Sequence, residues 1–127
     1  MDPIWIPKEV ILPMHDKLLH RYGGSDGIRD EGLLESALSR PQQLFHYEQS
    51  NLFSIAASYA FGIIKNHPFI DGNKRTGFMS AYTFLAANGH RLIATEEDAL
   101  RMTAGLAASV VSEQEYATWL AAMSEKN

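Results

Sequence analysis

A short stretch near the middle of the chain brings together several side chains that could carry out chemistry. It reads His-Pro-Phe-Ile-Asp-Gly-Asn-Lys-Arg-Thr and runs from His67 to Thr76. Histidine changes its charge closer to neutral pH than any other side chain, so His67 is a candidate general base. Carboxylate oxygens are good ligands for hard cations, so Asp71 is a candidate metal ligand. The stretch therefore combines a base with a metal-binding group.

The second half of this stretch is typical of an anion site at the start of a helix. Gly72 allows the backbone to come close to a ligand, and a helical pattern begins at Asn73. The first N–H groups of a helix have no intrahelical acceptor and can bind an anion. Lys74 and Arg75 add positive charge there, which is unfavourable at a helix N-terminus unless an anion is present. We therefore predict a phosphate cradle.

Each of these residues also has a purely structural interpretation. In isolation, His67 is better explained as a helix-ending histidine and Asp71 as the N-cap of the next helix. The combination of base, acid and anion site in one segment favours a function over these separate explanations. Phe69 and Ile70 are predicted to be core residues, one of which anchors the loop and so holds His67 in place.

Two apolar helices are predicted to position this stretch. Residues 51–66 are apolar almost all round, which is typical of a central, buried helix. Pro68 disfavours helical geometry at the residue before it, so this helix should end at His67. The helix that begins at Asn73 should end at the pair Asn88-Gly89, which is a favourable C-terminus. The site is thus predicted to be a loop between two core helices.

The N-terminal part of the chain is also predicted to be helical. A first helix contains Pro13, which should kink it or shift its start, and stops at Gly23. A second helix should begin at an N-cap, Asp30, and be ended by Pro41. Residues 42–50 have no clear periodicity and are predicted to form a loop or a short extended flap.

Two capping patterns open further helices near the C-terminus. Thr95 and Ser112 are each followed three residues later by an acidic residue, and the helices should reach about Ser109 and Met123. No repeat, linker or low-complexity segment interrupts the pattern. The sequence therefore predicts an all-α fold, a bundle of six or seven helices with at most a short β-hairpin or flap.

Length, charge and cysteine content narrow the class of protein. The 127 residues suit a single domain over 1–127. The net charge of −4, from 15 acidic and 11 basic residues, argues against direct binding to nucleic acid. The absence of cysteine excludes disulfides and thiolate metal sites. No signal peptide is apparent and the apolar run 55–64 is too short to cross a bilayer, so we expect a cytoplasmic protein without a membrane partner.

The pattern His-x-Phe-x-Asp-Gly-Asn-Lys-Arg-Thr resembles the signature of the Fic/Doc family, and more closely that of its death-on-curing (Doc) toxin branch. Other parts of the chain also resemble the Doc branch, namely segments 15–16, 21–24, 27–37 and 84–89. The resemblance implies the all-helical Fic fold and a nucleotide-dependent transferase.

Two positions bear on which reaction the resemblance implies. Most Fic proteins move AMP from ATP to a protein hydroxyl, and their motif usually has glycine at the position of Lys74 and arginine at that of Phe78. Both departures match the Doc branch, whose known activity is phosphorylation of elongation factor Tu. We therefore expect a toxin kinase that transfers phosphate from ATP to a Ser or Thr hydroxyl of a translation factor. The alternatives are an AMP transferase and a catalytically silent Fic-fold binding module.

The resemblance also implies a role for each residue of the motif. His67 would take the proton from the target hydroxyl, and Asp71 would bind Mg²⁺. The phosphates of ATP would be bound by Gly72, Asn73, Lys74 and Arg75. Residues 43–50 resemble the flap that docks a target segment in Fic proteins.

Regulation is expected to come from a separate protein. Many Fic proteins carry an inhibitory Ser/Thr-x-x-x-Glu-Gly/Asn motif, but here Gly27 stands four residues before the pair Glu31-Gly32. Doc-like toxins are restrained instead by a small antitoxin. The resemblance therefore implies a Phd-like antitoxin, which we expect to dock an amphipathic helix in an exposed apolar groove.

Overall fold

A computed structural model describes residues 2–48 and 50–127 of the chain. Within these ranges it contains helices and one pair of very short strands, in the order α1 (Lys8–Tyr22), α2 (Glu31–Glu48), α3 (Leu52–Asn66), α4 (Asn73–Ala87), β1 (His90–Leu92), α5 (Glu96–Ala107), α6 (Glu113–Ala122) and β2 (Ser124–Lys126). The two strands pair in antiparallel fashion, with Arg91 opposite Glu125. The predicted all-α bundle of six or seven helices is confirmed, with six helices in the described part of the chain.

Helix α3 lies at the centre of the fold, as its apolar sequence predicts. Most of its residues are buried, and it packs against α2, α4 and α6. Two glycines let the neighbouring helices come close. A Cβ at Gly62 would lie 3.2 Å from the Ala37 backbone on α2, and one at Gly77 on α4 would lie 2.8 Å from Ile64 Cγ1. The two helices that flank the motif are therefore in tight contact with each other.

The prediction that Pro41 ends the second helix is wrong. Helix α2 continues to Glu48 with Pro41 inside it and buried. The second half of α2 is held by tertiary contacts, because the Phe45 ring packs edge-on against Trp5 at a centroid distance of 5.7 Å. The predicted loop or flap over 42–50 is therefore helical over 42–48, while Gln49 lies outside the described residues.

Of the two capping patterns predicted near the C-terminus, the one at Ser112 is confirmed fully and the one at Thr95 in part. Ser112 Oγ accepts a hydrogen bond from the Glu115 N–H at 3.0 Å, and Glu115 Oε1 accepts one from the Ser112 N–H at 2.9 Å. At the start of α5, Thr95 Oγ1 accepts from the Asp98 N–H at 3.1 Å, and the reciprocal bond is not made. None of the helices in the described part of the chain is both long and apolar enough to cross a membrane.

Candidate functional site

The loop between α3 and α4 consists of residues 67–72, and we call it the motif loop. It begins at His67, whose backbone lies in the left-handed region with φ 52° and ψ 52°. The His67 N–H still donates to the Ile63 carbonyl at 3.1 Å, so the turn follows directly from the last turn of α3. The predicted end of this helix at His67 is confirmed, because α3 ends at Asn66 and His67 is its C-cap. The His67 side chain is exposed and makes no hydrogen bond with the part of the chain that the structure describes.

Phe69 and Asn73 tie the two ends of the motif loop together. The Phe69 ring is fully buried, its N–H donates to Asn73 Oδ1 at 3.0 Å, and Asn73 Nδ2 donates to the Phe69 carbonyl at 3.0 Å. The buried Asn73 side chain is therefore bonded to the loop through both its amide oxygen and its amide nitrogen, while its backbone N–H, which meets no acceptor among the described residues, stays free for an anion. The prediction that Phe69 is a core residue is confirmed. The same prediction for Ile70 is wrong, because its side chain is 52% exposed.

The start of α4 has the free N–H groups that an anion site needs. Gly72 is the residue before the helix, with φ 80°, and no side chain caps it. The first bond onto the loop runs from the Thr76 N–H to the Gly72 carbonyl at 3.0 Å. The N–H groups of Asn73, Lys74 and Arg75 meet no acceptor within residues 2–48 and 50–127. A side chain at Gly72 would be strained by this φ and crowded by Leu19, whose Cδ2 would lie 3.3 Å from the Cβ.

Asp71 is held by backbone N–H groups from both sides. Its Oδ1 accepts from the Gly72 N–H at 2.9 Å, and its Oδ2 accepts from the Ser25 N–H at 3.3 Å. Asp71 is therefore not the N-cap of α4. Each carboxylate oxygen can accept more than one bond, so both keep capacity for a cation. The side chain is exposed to solvent at the groove described below.

Helix α1 contributes residues to the site that motif spacing does not reveal, Tyr22 from its end and His15 from its middle. The guanidinium of Arg75 lies over the Tyr22 ring, 4.3 Å from its centroid, in cation–π geometry. The buried ring of His15 stacks on Phe69 with centroids 3.8 Å apart, and its Nε2 donates to the Asp71 carbonyl at 2.8 Å. Residues of α1, far from the motif in sequence, thus contact both Arg75 at the start of α4 and Asp71.

A third support comes from residues 27–30, between α1 and α2, which we call the clamp segment. Ile28 forms an isolated antiparallel bridge with Phe69, and the Ile70 N–H donates to the Gly27 carbonyl at 3.1 Å. The Pro68 carbonyl accepts two N–H groups of the clamp segment, from Arg29 at 2.6 Å and from Asp30 at 3.0 Å. The motif loop is therefore hydrogen-bonded along its length to the clamp segment.

The motif opens onto a groove of about 1190 Å³. At one end of the groove lie His67, Asp71, Lys74 and Arg75, together with Arg21 of α1. The groove then continues between α4 and α5, where most of its wall is apolar. We call this part the apolar groove; its apolar lining residues are Phe78, Met79, Tyr82, Leu92, Ala94, Ala99, Leu100, Ala104 and Ala107, and Thr95, Glu96 and Thr103 lie beside them. The predicted base, carboxylate and basic residues therefore share one surface, with an apolar channel beside them.

The candidate metal site is built on a single carboxylate. No group of three or more His, Cys, Asp or Glu side chains that could hold a metal occurs in the described ranges, 2–48 and 50–127. This arrangement fits Mg²⁺, which commonly binds to one or two carboxylates and completes its shell with substrate phosphates and water. Asp71 lies next to the free N–H groups of α4 that would hold those phosphates.

Comparison with known proteins places the chain in a family. The model of the Fic/DOC family matches residues 5–85. The chain is 36% identical over 108 residues to the protein kinase doc of Escherichia phage P1, covering 84% of this chain and 85% of that protein. It is 40% identical over 75 residues to toxin Doc of Mycolicibacterium smegmatis, covering 58% of each chain. The chain belongs to the Fic/DOC family, and within it to the Doc branch.

Proposed function

We propose that this protein is the toxin of a toxin–antitoxin module, a Doc-type kinase that transfers phosphate from ATP to a Ser or Thr hydroxyl of a translation factor. Elongation factor Tu is the proposed substrate, and the cytoplasm, which holds both ATP and that factor, is the proposed location. The observation that carries the proposal is the shared surface formed by His67, Asp71 and the uncapped, basic start of α4. The names of the two relatives, a toxin and a protein kinase, support it.

In this proposal His67 is the general base. Its exposed ring has no partner among the described residues, so a target hydroxyl can reach it. The imidazole takes the hydroxyl proton as the oxygen bonds to the γ-phosphorus, while the bond from that phosphorus to the β–γ bridging oxygen breaks and ADP leaves. General bases of this kind contribute roughly 10²- to 10⁴-fold to the rate.

The phosphates are proposed to be bound by the start of α4. The free N–H groups of residues 73–75 and the helix dipole favour negative charge there, and the side chains of Lys74 and Arg75 add two full positive charges. Asp71 would hold Mg²⁺ beside them. Mg²⁺, when bound, supplies charge neutralisation on the phosphate oxygens.

Lys74 and Phe78 support phosphate transfer over AMP transfer. Lys74 places a long basic side chain at the groove where the AMP-transferring members carry glycine, and Phe78 contributes an aromatic ring to the groove lining where they carry arginine. The site therefore lacks one of the phosphate contacts that holds ATP for AMP transfer.

Incubation of the protein and purified elongation factor Tu with ATP labelled separately at the α and γ positions tests this proposal. We expect γ label on the target, with mass spectrometry showing added phosphate on a Ser or Thr. His67→Ala should lower the rate by about 10²-fold or more, because the base is lost. The control His20→Ala changes an exposed histidine on α1 that does not line the groove. Label from the α position on the target would instead show AMP transfer, and growth inhibition unchanged in His67→Ala would favour a silent binding module.

We further propose that a Phd-like antitoxin docks a helix in the apolar groove. Leu100 on α5 is 61% exposed there, which leaves an apolar side chain available to a partner. An amphipathic helix lying in such a groove presents its own apolar face to it. Because the groove is continuous with the surface that carries His67 and Asp71, a bound helix would lie next to the nucleotide site.

A further inference from the structure

His67 has a backbone conformation that a side chain disfavours. Its φ of 52° is one of two positive values at non-glycine residues in the described part of the chain, the other being at Ser109. A residue with a Cβ adopts the left-handed region only when its surroundings hold it there. This conformation turns the chain out of α3. It therefore also sets the direction in which the His67 side chain leaves the backbone. Contacts that stabilise it therefore position the ring.

The Arg29 side chain makes such contacts. Its Nε donates to the His67 carbonyl at 2.6 Å, and its Nη2 donates to the Asn66 carbonyl at 2.9 Å. The last carbonyls of a helix lack intrahelical partners and carry the negative end of the helix dipole, so a guanidinium is well suited to them. The planar fork of arginine can reach two adjacent carbonyls together, which the single ammonium of lysine does less well.

We infer that Arg29 is a positioning residue for His67. Its side chain binds the carbonyls of residues 66 and 67 and its N–H binds the next carbonyl, at Pro68, so Arg29 holds three successive peptide groups across the turn. Arg29 acts through the backbone and does not lie among the groups lining the groove. The inference rests on the proposed function only in taking His67 as the base.

The remaining contacts of the clamp segment allow this role to be tested without unfolding the loop. The backbone bonds from Asp30 to Pro68 and from Ile70 to Gly27 do not depend on the Arg29 side chain. Asn66 Nδ2 also donates to the Leu33 carbonyl at 3.0 Å, which ties the end of α3 to α2. Arg29 itself is exposed, so its removal leaves no buried cavity.

The test compares Arg29→Ala and Arg29→Lys with Arg101→Ala, which removes an exposed arginine whose contact is with Asp98 on the same helix. We expect Arg29→Ala to lower kcat by roughly 10- to 100-fold, because a misplaced base loses its alignment with the hydroxyl. The KM for ATP should stay within about twofold, since the phosphate-binding groups are untouched. The kcat of Arg29→Lys should lie between those of Arg29→Ala and the wild type. Added guanidinium ion should raise the kcat of Arg29→Ala and of no other variant. All variants should melt within a few degrees of Arg101→Ala.

A second measurement does not depend on activity. Backbone chemical shifts and one-bond Cα–Hα couplings from NMR report positive φ, and we expect this signature at His67 in the wild type and in Arg101→Ala but not in Arg29→Ala. A wild-type kcat in Arg29→Ala, or a retained positive φ at His67, would overturn the inference. If His67→Ala keeps full activity, the proposed function fails while the NMR comparison still decides the role of Arg29.

Discussion

At the scale of single residues, Gly24 is a glycine outside the motif that lies beside the carboxylate of the proposed metal ligand, Asp71. A Cβ at Gly24 would lie 2.9 Å from Asp71 Oδ2, and the backbone there has φ 130°. Its neighbour Gly23 has φ 84° and would place a Cβ in open space. The two glycines therefore share a conformation that disfavours side chains, but only Gly24 makes room for the carboxylate.

Gly24→Ala should weaken Mg²⁺ binding, because the new methyl group displaces the Asp71 carboxylate from its backbone donors. We expect the Mg²⁺ dissociation constant, measured by calorimetry in the presence of ADP, to rise roughly tenfold, as when an outer-shell partner of a metal ligand is lost. Gly23→Ala is the control for a side chain at positive φ, since its Cβ would meet neither Asp71 nor Leu19, whose Cδ2 would lie 2.9 Å from a Cβ at Gly24. Equal Mg²⁺ affinity in the two variants would show that the contact with Asp71 is unimportant.

At the scale of elements, the capping box at the start of α6 should make the stability of the fold depend on pH. Hydrogen bonds from the Ser112 backbone and then from its side chain lower the pKa of Glu115 below its ordinary value of 4.5. A carboxylate whose pKa is lower in the folded than in the unfolded state stabilises the fold above the unfolded pKa, and that contribution is lost as the pH falls through the folded pKa. The capping box should therefore weaken in acid.

Glu115→Gln should make the free energy of unfolding less dependent on pH below about 4.5, because the amide keeps an acceptor for Ser112 but does not titrate. We expect the variant to be less stable than the wild type at pH 7, with the difference shrinking as the pH falls, as measured by urea unfolding at several pH values. Glu97→Gln, at an exposed position in the first turn of α5, is the control. A difference that stays constant down to pH 3 would argue against the carboxylate in the capping box.

The ends of helices could be predicted where they depend on residues close in sequence. They could not be predicted where they depend on contacts with distant residues. The break at Pro68 and the capping box at Ser112 depend on neighbours in sequence, and both are present. The continuation of α2 past Pro41 depends on the packing of Phe45 against Trp5, which no local pattern contains.

The same distinction holds for the site. The motif itself contains His67, Asp71 and the basic start of α4, and the structure places all of them on one groove. Ser25, Arg29 and the other supporting residues lie in the first part of the chain, so only the folded structure brings them to the motif. The prediction that Ile70 is a core residue is wrong, because an apolar residue in a loop can as easily lie at the surface as in the core.

At the scale of the whole molecule, the apolar groove lies between α4 and α5 and is continuous with the proposed nucleotide site. Its lining is largely apolar, in a chain whose net charge is −4. Val110 is also apolar and is 79% exposed, but it does not line the groove. Binding of a partner in the groove should therefore be sensitive to substitution of Leu100 and insensitive to substitution of Val110.

Leu100→Glu should weaken binding of the cognate antitoxin, because a charge would be buried against the apolar face of its helix. We expect the dissociation constant, measured by calorimetry with the purified antitoxin, to rise by roughly 30-fold, which corresponds to a hot-spot loss of about 2 kcal/mol. Val110→Glu provides the control for added charge at an exposed apolar position. If both variants bind the antitoxin like the wild type, the helix docks elsewhere.

The close contact at Gly77 has a consequence for how the site meets its ligand. A Cβ there would lie 2.8 Å from Ile64 Cγ1 and 3.1 Å from the Ala60 carbonyl oxygen, so α4 packs against α3 with no room for a side chain between them. The end of α3 carries the proposed base, and the start of α4 carries the proposed anion cradle. We therefore expect the packing of α3 against α4 to set the relative position of the two proposed groups. A nucleotide bound there would then meet a preorganised site, whose ordering adds little to the entropic cost of binding.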